Sequence, residues 1–157
     1  MATKHPAPRI FREDGVTIAE VIGTITIGAI LLGMAMPSLS QMTRVYAVRG
    51  AARQIYSDLQ SARMAAVMEN NRYHVAVTGS TTYKLHDDEN GDGAETGETV
   101  TARTLDASSG SVSVTATGVV TFAPNGTAAT GETFTVAGPG GSSFQIAVSS
   151  GGRIRIL

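Results

Sequence analysis

From Val16 to Met36 the chain is apolar almost without interruption, and Glu20 is the only formal charge between Val16 and Thr43. About 20 such residues, at a rise of about 1.5 Å each, cross a bilayer as a helix. The pattern therefore predicts a transmembrane helix over residues 16–39. Beyond Pro37 the helical period continues, with apolar positions at Val48, Ala52, Ile55, Leu59, Ala62 and Ala66. Spacings of three and four put these on one stripe, so residues 40–70 extend the helix as an amphipathic segment with a buried face. Pro37 and Gly50 are its expected weak points. Asn70-Asn71 supplies a stop, because asparagine tolerates the left-handed conformation that ends helices. Arg44, Arg49, Arg53 and Arg63 lie mostly off the stripe and read as a solvated basic face, with a headgroup or subunit contact as the alternative.

From Tyr73 the period changes to two. Strands are predicted at 73–77, 83–85, 99–105, 111–114, 118–122, 133–136, 144–148 and 153–156. Turns rich in Gly, Asn, Asp and Ser separate them, among them Pro124-Asn-Gly126 and Ser149-Ser-Gly-Gly152. Short strands at this spacing imply antiparallel β meanders over 71–157. No glycine cluster opens a helix after a strand, so none is a phosphate loop. The predicted class is α+β, a long N-terminal helix, its first half transmembrane, packed on an antiparallel β domain.

Charge changes the picture at the N-terminus. Residues 1–15 are polar, hold Lys4, Arg9 and Arg12, and end at Gly15 just before the apolar run. A secretory signal would place its small-residue junction after the apolar region instead. Three of the 12 basic and two of the 13 acidic residues lie in this segment, which leaves nine and eleven beyond it. A mildly acidic remainder argues against a protein that coats nucleic acid, though not against a local basic site. Basic residues before the anchor, and none until Arg44 after it, orient the N-terminus toward the cytoplasm. Without cysteine there is neither a disulfide staple nor a cysteine metal site. The three histidines, His5, His74 and His86, are scattered in sequence, and no catalytic constellation emerges. The chain reads as a non-enzyme.

Gly15 followed by an apolar helix with Glu20 at its fifth position resembles the class III leader of type IV pilins and type II secretion pseudopilins. The resemblance implies removal of residues 1–15 by a prepilin peptidase, which cuts between Gly15 and Val16 and methylates the new terminus. Pro37 falls where many members also have proline, whereas Val16 stands where phenylalanine is usual. The helix segment Ala51-Ala-Arg-Gln-Ile-Tyr-Ser-Asp-Leu-Gln-Ser-Ala-Arg-Met-Ala-Ala66, followed by Glu69-Asn-Asn-Arg-Tyr-His-Val-Ala-Val77, is similar to the GspH/FimT family within that group. So are Phe122-Ala-Pro-Asn-Gly126 and the closing Gly152-Arg-Ile-Arg155. The implied protein is a minor pilin or pseudopilin, anchored by a single pass in a bacterial inner membrane with a periplasmic C-terminal domain. It would assemble with other pilins through its helix, near the tip of a type II secretion pseudopilus or type IV pilus. The alternative is a minor pilin that binds DNA during uptake.

Three candidate sites follow. Burying the Glu20 carboxylate in lipid costs roughly 2.5 to 3.5 kcal/mol, so a neighbouring cation would offset a real penalty. The partner the resemblance implies is the freed ammonium of Val16 in an adjacent subunit, with Glu20 and Pro37 serving assembly. A carboxylate that merely favours the helix N-terminus is the plainer reading. Within the acidic stretch 87–98, Asp88, Asn90 and Asp92 fall at positions 1, 3 and 5 of a calcium loop, and Glu98 lies one short of the twelfth. An acidic hairpin loop that needs no cofactor stands beside the calcium reading. Finally, Arg153 and Arg155 share a strand face about 6.8 Å apart, a spacing suited to successive phosphates. An edge strand with its charges outward is the plainer reading, and FimT-like members are the ones the resemblance connects to DNA.

Overall fold

The structure, a computed structural model, describes residues 15–95, 97–105 and 112–157, except for the side chains of 37–39. The chain divides into two compact units, residues 1–38 and 39–157. The leader expected over 1–15 therefore falls outside the described residues, apart from Gly15.

A single helix, α1, runs from Ile18 to Met68 and is continuous through Pro37 and Gly50. It opens on a cap. The Thr17 Oγ1 accepts the Glu20 N–H at 3.3 Å, and the Thr17 carbonyl accepts the N–H groups of Glu20 and Val21. Thr-x-x-Glu is the spacing of a capping box, in which a side-chain oxygen satisfies an orphan donor of the first turn. The helix closes as its sequence predicts. Asn70 is left-handed at φ 55°, and the Asn71 N–H reaches back to the Ala66 carbonyl at 3.1 Å. That reach over five residues is the Schellman pattern.

In the first unit, the segment from Ile18 onward has a window of mean hydropathy 2.0 with none of it buried, long and apolar enough to cross a membrane. Its threonines do not break that character. Thr24 and Thr26 donate their hydroxyls to the carbonyls of Val21 and Ile22, so neither hydroxyl is left unsatisfied in an apolar surround.

In the second unit, eight strands follow the helix. They are β1 (Arg72–Val77), β2 (Thr82–Asp88), β3 (Val100–Thr104), β4 (Ser113–Ala116), β5 (Val120–Phe122), β6 (Glu132–Ala137), β7 (Ser143–Val148) and β8 (Ile154–Ile156). All eight predicted strands exist, although the start expected at Ser111 lies outside the described residues. Their arrangement departs from a simple meander. They form two four-stranded antiparallel sheets, ordered β3-β2-β1-β5 and β4-β6-β7-β8. The chain thus leaves the first sheet at β4, returns for β5 and leaves again at β6. Period two identifies a strand but not its neighbour. Here Val120 and Phe122 bury their side chains beside β1, while Val114 buries beside β6.

The predicted helix stripe is the core of this unit. Val48, Ala52, Ile55, Leu59, Ala62 and Ala66 are all buried, together with Val75, Tyr83, Phe122, Phe134 and Ile146 from the two sheets. Alanines at three of the six stripe positions let the helix lie close to the strands, which reduces the voids that close packing must avoid. Tyr83 enters this core from β2 and places its hydroxyl 2.5 Å from the Asp58 carboxylate of the helix. Burial, then that contact, pushes the Tyr83 phenol well above its ordinary range.

Candidate functional site

At the N-terminal end, Gly15, Val16 and Glu20 are all exposed, and Glu20 sits in the first turn of an otherwise apolar segment. The fixed element is the backbone around it, held by the Thr17 cap. A carboxylate there faces the partial positive charge of the helix N-terminus and remains available to a second cation. The backbone at Pro37 is helical, and its side chain is outside the described residues.

The structure brings three of the four acidic-loop candidates together. Asp88, Asp92 and Glu98 bring carboxylate oxygens within 4.8 Å of one another. Glu98, not Thr99, turns back into the loop, although it is one residue short of the usual twelfth position. Asn90 spends its side-chain oxygen on the Asp92 N–H at 2.8 Å, and the Gly93 N–H donates to Asp88 Oδ1 at 3.2 Å. The Asn90 N–H donates to Glu98 Oε1 at 3.2 Å.

Two histidines hold the Asp88 and Glu98 carboxylates from the sheet side. His74 on β1 and His86 on β2 are direct cross-strand partners whose rings stack with centroids 5.5 Å apart. His74 Nε2 lies 2.9 Å from Asp88 Oδ2, and Thr121 Oγ1 on β5 lies 2.8 Å from His74 Nδ1. An ionised carboxylate only accepts, so Nε2 carries the proton and Nδ1 of a neutral ring takes the Thr121 hydroxyl. His86 Nε2 makes the corresponding contact to Glu98 Oε2 at 2.5 Å. Burial works to raise the Asp88 carboxyl, but the hydrogen bonds from His74 and the Gly93 backbone outweigh it and hold the group below its usual range. Scattered in sequence, these histidines meet because the β1–β2 hairpin turns at Thr78–Thr82. That turn, placed correctly, would have predicted the pairing.

A second convergence involves Arg63, which belongs to no solvated face. It is half-buried, and its Nε donates to the Gly126 carbonyl at 2.8 Å. Gly126 (φ 76°) and Gly152 (φ 75°) are both left-handed, and a Cβ on Gly152 would lie 1.9 Å from the Gly126 oxygen. The Ala128 N–H also donates to the Ser150 carbonyl at 3.0 Å. Helix arginine, Pro-Asn-Gly turn and Gly-Gly turn are thus one interlocked corner. Just beyond it, Arg153 and Arg155 are exposed on either side of buried Ile154, as strand alternation requires, while Ile156 at the end of β8 is exposed.

A half-helix packed on two antiparallel sheets, preceded by an apolar segment with a first-turn glutamate, defines a pilin-like protein of the minor pseudopilin class. The model of the family described as Type II transport protein GspH matches residues 51–152, and the chain belongs to that family. The match begins at the buried Ala51 and ends at Gly152, so it takes in the whole Arg63 corner. Among solved structures, the type IV minor pilin FimU of Pseudomonas aeruginosa is similar at 20% identity and a TM-score of 0.58, covering 70% of this chain and 87% of its own. The minor pseudopilin EpsH from the type 2 secretion system of Vibrio cholerae is similar at 12% identity and a TM-score of 0.55, covering 70% and 95%. At these identities the likeness shows the fold. No curated protein matches the chain by sequence.

Proposed function

We propose that the chain is cut between Gly15 and Val16 by a prepilin peptidase and then joins a type II secretion pseudopilus or a type IV pilus near its tip. It starts as a single-pass protein of the inner membrane with residues 40–157 in the periplasm. The role is structural rather than catalytic and calls for no cofactor. The observation that carries this reading is Glu20, an exposed carboxylate in the capped first turn of a segment that is otherwise apolar to Met36 and uncharged to Thr43. In lipid such a group calls for a cation, and the ammonium freed at Val16 of an adjacent subunit supplies one while setting the axial register. N-terminal sequencing of the mature chain should begin at Val16, and Glu20→Ala should leave cleavage intact but abolish incorporation. A mature chain that begins at Met1, or a Glu20→Ala variant incorporated normally, would defeat the proposal.

The exposed pair Arg153 and Arg155 favours a second reading, DNA capture during uptake. Two guanidinium groups on an acidic domain would bind weakly and lose affinity steeply with salt. A gel shift at low salt that disappears in the Arg153→Ala/Arg155→Ala variant supports this reading. Absence of any shift returns the pair to guarding a sheet edge.

A further inference from the structure

Two sheets present four lateral edges, and among the described residues three are closed or guarded. The β5 edge is covered by the following segment, through the Phe122–Ala128 bridge and the Ala129 N–H to the Thr121 carbonyl at 2.9 Å. The β4 edge donates the Val114 N–H to the Ser80 carbonyl at 2.7 Å. The β8 edge is three residues long, with Arg153 just before it and Arg155 at its centre. A very short strand with charges at its edge resists further pairing.

Among the described residues the β3 edge has no such protection. The Asp87 N–H donates to the Thr99 carbonyl and the Leu105 N–H to the Thr81 carbonyl, which fixes the phase of the β2–β3 ladder. In an antiparallel pair the bonded positions alternate, so the backbone groups of Thr101 and Arg103 point to β2 and those of Val100, Ala102 and Thr104 point outward. The Thr104 carbonyl accepts from the Gln54 side chain at 3.3 Å. The N–H and C=O groups of Val100 and Ala102 have no partner among the described residues, and all five residues of β3 are exposed. Behind the strand, on the face of Thr101 and Arg103, lies a groove of about 200 Å³ floored by Ala62, Ala65, Tyr73 and Leu85. An open edge beside a small, partly apolar groove is the arrangement by which a sheet accepts an added strand. Main-chain bonds give affinity there, and a side-chain recess gives selectivity.

We propose that β3 is a docking edge for an extended segment of a different pilin-like subunit, which pairs with Val100 and Ala102 and seats an apolar side chain in the groove. The inference rests on the assembly reading above, and it names a lateral contact that the membrane-segment helix does not provide.

The test uses the full-length chain in its source cells, with a photo-crosslinking residue at Val100 and each other pilin-like subunit tagged in turn. The probe for blockade is Ala102→Pro. Proline removes only the outward N–H at this position and is tolerated on edge strands, so the β2 ladder survives. Its melting temperature is measured beside wild type. If it falls by more than a few degrees, Ala102→Lys replaces it. The expected result is a crosslink to one tagged pilin-like subunit whose yield drops at least tenfold in the blocked variant. Four results overturn the inference, namely no product, a product with a second copy of this chain, a product with a protein of another kind, or a yield the blocking variant does not change. Maturation at Val16 and incorporation are scored in the same cells. A cut and incorporated chain without the product refutes the β3 contact alone, whereas an uncut, unincorporated chain refutes the assembly reading and the contact together.

Discussion

Gly152→Ala offers the sharpest test of the interlocked corner. Gly152 is left-handed at φ 75°, and an alanine there meets two separate penalties. The first is conformational, roughly 1–2 kcal/mol for an L-residue in that region. The second is steric. The added Cβ would stand 1.9 Å from the Gly126 oxygen and 3.0 Å from Arg63 Nε, so one backbone turn has to move. Moving it breaks the 2.8 Å bond from Arg63 to that oxygen, and a hydrogen bond to a charged group contributes about 1.5–3 kcal/mol. The expected loss is therefore about 2.5–5 kcal/mol. For a unit of this size each kcal/mol moves the melting temperature by roughly 3–6 °C. Thermal unfolding of the detergent-solubilised chain, followed by its β circular-dichroism signal, should show a fall of at least about 8 °C. Gly140→Ala is the control, since Gly140 is also left-handed (φ 91°) but a Cβ there meets nothing within 4 Å. It should lose only the conformational part. If Gly152→Ala and Gly140→Ala melt within about 1 °C of each other, the corner is not interlocked and the reasoning fails.

Asp88 should make the β domain acid-sensitive in a defined direction. Its carboxyl is held below the ordinary 3.8 in the fold, so the stability it contributes is complete above that value and is lost as pH falls through the lowered one. Asp88→Asn should be the less stable protein at pH 7, and denaturant titrations should show the gap to wild type closing below about pH 3.8. A gap that widens toward acid would reverse the assignment. Tyr83→Phe removes the hydroxyl bound to Asp58 and should cost about 1.5–3 kcal/mol by denaturant unfolding. A neutral result would show that the contact contributes nothing. The carboxylates of the acidic loop are already engaged by His74, His86 and backbone N–H groups. Calcium at millimolar concentration, or a chelator, is accordingly expected to leave the melting temperature unchanged. A rise with calcium would show that the ion displaces those contacts and would favour the loop as a calcium site.

The helix was legible in the sequence almost to the residue, because a 3.6-residue stripe and an asparagine stop are local signals that packing reinforces. The strands were legible as short runs rich in Val, Thr, Ile and Phe between Gly- and Asn-rich turns, although burial alternates clearly only in β5, β6 and the end of β7. Sheet membership was not. Whether Val114 and Phe122 share a sheet depends on which neighbour buries them, and nothing within four residues of either one encodes that. The histidine pair shows the same limit from the other side. His74 and His86 are twelve residues apart and look unrelated until a hairpin register places them opposite each other. Arg63 was misread for a third reason. Its position off the apolar stripe is real, but a guanidinium on a polar face can still be claimed by a carbonyl from a distant turn, here Gly126.

Three residues within the family-like stretches, Arg63, Gly126 and Gly152, are spent on one another inside the fold. They fix how the helix, the Pro-Asn-Gly turn and the last hairpin lock together. A sequence pattern made of such residues therefore recognises the architecture without choosing between a secretion pseudopilus, a pilus and a DNA-uptake fibre. The choice has to lie in groups the fold leaves unspent. Among the described residues such groups include the Glu20 carboxylate, the outward backbone of Val100 and Ala102, and the exposed guanidinium groups of Arg153 and Arg155. The three sets differ in chemistry, so they answer to different partners: a buried cation, an extended strand and a phosphate backbone. Substituting each set separately and scoring incorporation, crosslinking and DNA retention in the same cells divides assembly from recognition, because none of the three sets contributes to the interlocked corner.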